Sequence, residues 1–343
     1  MSLNLRIFRY TTACVVIGIG SSLLSASVVV YTYTAGQLVK IPLSIDAATV
    51  STGTAELLDI AALANGKLLV EPTVPITVSQ RVSVQDPSNS EVVTLQSAVQ
   101  MLRDDRSGTA AIVNASIDLL TVDRTSGIAL ADPPGSIQTD MDRPAETVVH
   151  EGFQFKFPFA TEKKSYPYFD TTLRASYDAD FVGESDLEGV RIYQFRQEIE
   201  PVAIGSKFTL PASNWGRDGT DPVTMTRFYG ITRDLSIEPV SGAIVQVQQH
   251  YKQYFGTSVD DPKAITIVDV APRLDAATQH EQLERAITYR NLIQWGTVYG
   301  PLIGVFGGLL LVIGGIYLAR KASRVDMRIE SVENRKSVEL ISQ

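Results

Sequence analysis

A strand-built domain carried between two membrane helices is what this sequence predicts: mainly β, of the α+β class, between an N-terminal and a C-terminal transmembrane helix. Three observations carry that reading. The run Trp295 to Ala319 contains no charged residue, and at about 1.5 Å per helical residue it spans a hydrocarbon core of about 30 Å. A second uncharged stretch separates Arg9 from Lys40, with Ala13 to Tyr33 apolar enough for another span. Between these ends, apolar residues recur with a period of two through much of the chain, the pattern of half-buried strands. The predicted organisation is 1–10 cytoplasmic, 11–35 first span, 36–274 β-rich extracytoplasmic domain, 275–294 juxtamembrane helix, 295–319 second span and 320–343 cytoplasmic tail.

The two spans are expected to pair. Gly296, Gly300, Gly304 and Gly308 recur at every fourth residue, so they lie nearly above one another and leave a flat strip where another backbone comes close. Gly18, Ser22 and Ala26 repeat the spacing in the first span. Hydrocarbon gives helices no hydrophobic drive to associate, so close packing of small-residue strips predicts an antiparallel pair. The competing reading of the N-terminal run is a cleaved signal peptide, with Arg6 and Arg9 as its basic start and Ser25-Ala26-Ser27 as its cleavage site. Against it, Val28, Val29, Val30 and Tyr31 extend the apolar run beyond that site.

Charge sets the expected orientation. Arg6 and Arg9 precede the first span, and Arg320, Lys321 and Arg324 follow the second, which places both termini in the cytoplasm and the domain between them outside. The whole chain carries a formal charge of −8. With the two basic ends set aside the exterior is near about −12, a balance that excludes nucleic acid as a ligand class. The single cysteine, Cys14, falls in the first span. The exterior is therefore free of thiols and must be held by a hydrophobic core, and Cys14 itself is expected to be buried and inert.

Taken in order, the exterior opens with a strand over Gln37 to Leu43. Thr49 to Gly66 reads two ways, as strands or as a short helix ending at Gly66. Ile76, Val78, Val82 and Val84, then Val93, Leu95, Val99 and Met101, alternate with polar residues as strands do. Asp86-Pro87-Ser88-Asn89 and Arg106-Ser107-Gly108 supply the turns between them. A weak internal repeat relates Leu120 to Gly127 with Leu235 to Gly242, each a strand, an acidic residue and a Ser-Gly turn. Asp132 to Pro144 is proline-rich and poor in apolar residues, the expected internal boundary.

The most distinctive stretch places Phe153, Phe155, Phe157 and Phe159 at every second position. In a strand all four rings would face one way, either into a buried sheet face or along the wall of a cavity for a hydrophobic molecule. Just beyond, Lys163, Lys164, Tyr166 and Tyr168 mix cations with aromatic rings, as a surface touching lipid head groups does. A solvated turn is the plainer alternative.

The run Gly152 to Asp170, followed by Tyr177 to Pro201 with Gly183-Glu184, Leu187-Glu188-Gly189 and Tyr193-Gln194-Phe195, resembles the actinobacterial porin PorA family, formerly a domain of unknown function. The resemblance extends over most of the exterior and both terminal helices. Its Phe-Lys-Phe-Pro-Phe and Glu-Lys-Lys-x-Tyr-Pro-Tyr core is specific, and its flanking hairpins are generic. It implies an envelope protein of mycolate-type bacteria, from a family named for channel formation, with no catalytic residues to carry over.

The remaining elements follow the same grammar. Leu173, Ala175, Tyr177, Ala179 and Phe181 alternate with polar neighbours, Asp186 to Gly189 turns the chain, and Val190 to Ile199 returns it. Ser213 to Asp221 is a loop in which Asp218 and Asp221 lack the further carboxylates of a calcium loop. Val223 to Phe255 reads as a long hairpin. From Asp275 the period becomes helical, with Asp275 as cap, Glu281 and Arg285 as an i,i+4 pair, and Leu283, Ile287 and Ile293 as the apolar stripe. Val325, Ile329 and Val332 form a narrow stripe in the tail.

Catalysis finds no support in these residues. His150, His250 and His280 have no cysteine or carboxylate at metal-ligand spacing, no glycine loop cradles a phosphate, and no nucleophile elbow is present. Neither metal nor cofactor is implied. The expected function is an envelope membrane protein whose exterior binds or conducts a hydrophobic molecule, an envelope lipid. In architecture this is similar to the scavenger receptor class B family, whose exterior domain encloses a lipid tunnel. Channel formation by an oligomer and service as an accessory subunit of a larger membrane complex, docked through the glycine strip, are the alternatives. Membrane lipids are the expected partners.

Overall fold

The structure is a computed structural model that describes residues 2–341, of which the side chains of 2–7, 35, 206 and 325–341 are left undescribed. It divides into two units, Met1–Val39 with Asn291–Gln343, and Lys40–Arg290.

The second unit is mainly strand: β1 (Asp46–Leu58), β2 (Val70–Gln85), β3 (Val92–Arg103), β4 (Ile112–Asp123), β5 (Gly135–Gln138), β6 (Glu146–Val148), β7 (Tyr166–Asp170), β8 (Ala175–Leu187), β9 (Val190–Pro211), β10 (Pro222–Glu238), β11 (Ala243–Gly256), β12 (Ile265–Val270) and β13 (Arg273–Leu274). They form one 13-stranded antiparallel sheet in the order β6-β5-β4-β3-β2-β1-β12-β11-β10-β9-β8-β7, with β13 beside β1 and β11. Each neighbour is next in sequence except where β1 meets β12 through pairs such as Leu57 with Val268.

Short irregular pairings bring the two arms of this sheet together. Val122 of β4 bridges to Ala129, Ala129 N donates to Gly152 O at 2.9 Å, and Phe153 bridges in parallel to Tyr168 of β7. The strands thus close into a ring with a filled interior, as in small barrels whose inward side chains meet. Tyr251 on β11 reaches across it to the Met101 sulfur on β3, at 3.7 Å. Apolar clusters occupy the ring along its length, one around Phe157, Phe195 and Leu235, another around Ile76, Met101 and Val270, and a third around Trp215, Met225 and Phe255.

Several expectations are settled by these elements. Thr49 to Gly66 is a strand first and a helix after: β1 runs to Leu58, then Asp59 caps α1 (Ile60–Ala64) by accepting from Ala62 N at 2.9 Å. Gln37 to Leu43 is not a strand. Its first residues close a helix, and Ile41 packs in the core beside Leu95 and Leu120. The proline-rich stretch is no boundary, because β5 grows out of it and pairs with β4 inside the second unit. The repeated Ser-Gly turns close in the same way. Asp123 accepts from Ser126 N at 2.6 Å, and Glu238 accepts from Ser241 N at 2.7 Å, with Gly127 and Gly242 at φ of 80° and 72°.

Two helices are long and apolar enough to cross a membrane. α2 (Ser2–Val29) continues through a π-helical turn, Val30–Thr34, into α3 (Ala35–Leu38). At the other end α4 (Ala276–Gln294) leads through a second π-helical turn, Trp295–Tyr299, into α5 (Gly300–Ile341). Buried residues make up only 17% and 11% of their most apolar windows, so neither is the core helix of a water-soluble domain. α4 begins as expected, with Asp275 accepting from Thr278 N at 2.6 Å, and it buries Leu283 and Ala286 against Ile192 and Val245. The expected stripe of Val325, Ile329 and Val332 lies outside the described side chains.

Candidate functional site

The helix pair is built by glycine. α2 and α5 run antiparallel: Tyr10 meets Ser323 at one end, and Leu38 meets Gly296 at the other. At the crossing, a Cβ placed on Gly20 would stand 2.8 Å from the Gly308 carbonyl oxygen, and one on Gly308 would stand 2.8 Å from the Gly20 oxygen. Gly304 backs onto Ser27, and Gly315 onto the Ala13 carbonyl at 3.1 Å. Such close backbone approach maximises dispersion contact between the two helices.

The strip predicted on the first helix is on the wrong face. Gly18, Ser22 and Ala26 are exposed, and nothing lies within 4 Å of a Cβ on Gly18. The face against α5 runs through Ala13, Ile17, Gly20, Leu24 and Ser27. At about 100° per residue, Gly18 lies well round the helix from Gly20, and fourfold spacing alone does not say which of two small-residue faces meets the neighbour. Gly300 also departs from the ladder, since its nearest contact is the Trp295 carbonyl of its own π-helical turn at 2.8 Å. Cys14 is exposed rather than buried, on the same outer face as Gly18, Ser21, Ser22, Ser25 and Thr32. On α5, Gly307 and Gly314 likewise have open space beside them.

In the second unit the phenylalanine stretch does not form a strand beyond isolated bridges at Phe153 and Lys156. Its rings therefore point different ways. Phe153 and Phe157 stack at 6.1 Å and enter the aromatic core, where Phe157 meets Phe195 at 4.8 Å and Tyr166 edge-on at 5.3 Å. Phe155 packs instead against the cluster of Val93, Leu95 and Leu120. Phe159 lies under the Lys156 ammonium, 3.5 Å from ring centre to nitrogen. Lys156 also donates to the Phe157 carbonyl at 2.7 Å, and burial without an acidic partner lowers its pKa from 10.5 to about 7.

The four head-group candidates split in two. Tyr166 and Tyr168 are core residues, 5% and 8% exposed, so neither presents a ring to a surface. Lys163 and Lys164 are exposed but already paired, with Glu184 and with Glu162.

Three polar features escaped the sequence because their partners are distant in the chain. His150, 1% exposed, is hydrogen-bonded through Nε2 to the Asp118 carboxylate at 2.8 Å, while its Nδ1 is buried without a partner among the described residues. Arg233 reaches Asp170 at 3.2 Å and Gln197, and Tyr229 donates to the same carboxylate at 3.0 Å. Burial works against the Arg233 charge, but Asp170 overrides it and the pKa is raised. Among the described residues Arg227 has no such partner. Alternation with an inward-pointing strand was the one signal that could have drawn attention to Arg227 and Arg233.

Two shallow grooves lie on the outer face of the sheet, one of about 170 Å³ between Glu200, Gly230, Thr232 and His250, and one of about 160 Å³ between Thr232, Gln248, His250 and Arg273. Both are smaller than the roughly 300–1,000 Å³ of a typical ligand pocket. Among the described residues no cluster of three or more His, Cys, Asp or Glu is arranged to hold a metal.

Known proteins resemble this sequence over most of its length. A porin PorA from Corynebacterium amycolatum is 29% identical over 287 residues, covering 70% of this chain and 74% of the relative. A porin PorA from Corynebacterium resistens is 26% identical over 328 residues, covering 72% of this chain and 77% of the relative. The model of the family described as Porin PorA matches residues 12–317, which takes in most of both apolar helices and the whole ring of strands. By that match the chain belongs to the Porin PorA family.

Proposed function

We propose that this protein forms a channel in the cell envelope as an assembly of several copies, each anchored by the α2/α5 pair. The observation that carries the reading is the outer face of α2. Gly18, Ser21, Ser22, Ser25 and Thr32 are exposed there, opposite the face that meets α5. A hydroxyl-bearing stripe facing lipid is unfavourable, whereas several such stripes can surround water or meet one another. The names of the relatives support the same reading.

Aromatic residues support a spanning position. Tyr31, Tyr33, Trp295 and Tyr299 are exposed at one end of the pair, and Tyr317 at the other. From Tyr10 to Tyr31 the helix rises roughly 32 Å, and from Tyr299 to Tyr317 roughly 27 Å, which brackets the hydrocarbon thickness. The basic residues beyond Tyr317 then favour cytoplasmic termini and an extracytoplasmic strand domain in the plasma membrane. The lipid conduit ranks lower, because aromatic side chains fill the ring where a tunnel would run. Docking of an accessory subunit draws on the open face at Gly307 and Gly314, and ranks with it.

Purified full-length protein tests the proposal in planar lipid bilayers, with native mass spectrometry on the same sample. Discrete conductance steps from a homo-oligomer are expected, reduced severalfold by Ser22→Leu with Ser25→Leu. A monomer that adds no conductance above the detergent control overturns the reading, and a bound lipid of defined mass would restore the conduit.

A further inference from the structure

Arg227 lies on the inward face of β10, the face that also carries Tyr229, Arg233 and Leu235 into the ring. On that face Arg233 is matched by Asp170, but Arg227 makes no ion pair or hydrogen bond among the described residues. Its Nε is shut off from solvent without an acceptor, and burial lowers the pKa of the group. Its cross-strand neighbours, Ile204 and Phe255, are uncharged. An arginine keeps its charge in any protein, so a half-buried one without a counter-charge is costly unless something else supplies the anion.

β9 is shaped around this group. Between Ile204 and Phe208 it carries two more residues than β10 does between Arg227 and Met225, so the ladder bulges there. Gly205 in the bulge has φ of 66°, and a Cβ on it would stand 3.3 Å from Nη2 of Arg227, so the glycine keeps that side of the guanidinium open. β8 pairs with β9 only as far as Arg196, so among the described residues no strand pairs with the other edge of the bulge. Lys207, exposed in the same bulge, makes no ion pair among the described residues. The acids of this strand, Glu198 and Glu200, line the groove on the opposite face of the sheet.

We propose that Arg227 and the β9 bulge from Gly205 to Lys207 form a binding site for a phosphate group. A guanidinium beside a bulged stretch of backbone, with Lys207 two residues along that bulge from Gly205, suits an anion with several oxygens, to which it offers paired N–H donors. The proposal does not depend on channel formation.

The test is isothermal titration of the full chain in non-ionic detergent at low ionic strength, with inorganic phosphate in one arm and dihexanoylphosphatidic acid in the other. Saturable binding is expected, weakened at least tenfold by Arg227→Leu and about threefold by Lys207→Gln. Tighter binding of the short-chain lipid assigns the site to a lipid head group, and equal or weaker binding assigns it to free phosphate. No saturable heat in either arm overturns the site, as does an Arg227→Leu protein that binds within twofold of the native one. Should Arg227→Leu fail to fold, exposed Lys207 keeps the question open to an answer: unchanged affinity in both Lys207→Gln and Arg227→Lys also overturns it.

Discussion

Lys156 shows how much one residue of the Phe-Lys-Phe-Pro-Phe stretch is asked to do. Its pKa falls to about 7 because burial opposes the ammonium and no carboxylate answers it. Between that value and 10.5 the unfolded chain holds a proton that the folded chain has released, so stability rises with pH across this window and is lowest below it. The full span corresponds to about 5 kcal/mol. Thermal unfolding of Lys156→Met, compared with the native protein from pH 7 to 10, should show this slope removed and the variant ahead at neutral pH. At Asp170 the expectation has the opposite sense. Asp170→Asn strips the buried Arg233 of its counter-charge and should cost about 3–5 kcal/mol in denaturant unfolding, far more than an exposed pair such as Arg81 with Asp46. Two glycines make a further contrast. Gly189 and Gly242 both have positive φ, but a Cβ on Gly189 meets nothing, whereas one on Gly242 meets the Phe157 carbonyl and stands 2.5 Å from that of Pro158. Gly189→Ala should cost about 1–2 kcal/mol from backbone strain alone, and Gly242→Ala clearly more, read as the difference in their melting temperatures.

Among the elements, the two apolar helices and the aromatic stretch depend most on which way a face points. α2 presents one face of small residues to α5 and a second to its surroundings, and the two differ by a rotation that spacing does not reveal. Replacing Gly20 by Ile should separate the pair, while the same change at Gly18 should leave it intact. Cysteines at Tyr10 and Ser323 in a Cys14→Ser background report this, since their parent side chains lie 3.2 Å apart and should crosslink with Gly18→Ile but not with Gly20→Ile. In the stretch from Phe153 to Phe159 the alternation is that of a strand, yet the segment is held from both sides by turns. Ala129 N bonds to Gly152 on one side and Phe157 N bonds to Gly242 on the other. The backbone twists between these holds and sends its rings to three places.

For the whole molecule, the filled ring decides where function can reside. The apolar clusters of the second unit are all drawn from residues between Ile41 and Ile287, so a fragment of residues 40–290 should be soluble, folded and monomeric by sedimentation. The full chain in detergent should be larger than one copy. An oligomeric fragment would move the assembly surface from the helices to the strand domain.

Local pattern determined much of this. Two uncharged runs, a period of two, an aspartate cap and Ser-Gly turns each act over a few residues, so the mainly strand class, the paired apolar ends, α4 and the long hairpin of β10 and β11 were legible in the residues themselves. Closure of the ring, the inner side of β10, the buried partners of Arg233 and His150, and the true contact face of α2 were decided only by the tertiary structure. Each joins residues tens to hundreds of positions apart, and a chain read in order carries no signal of which distant group will be there to pair a charge or fill a space.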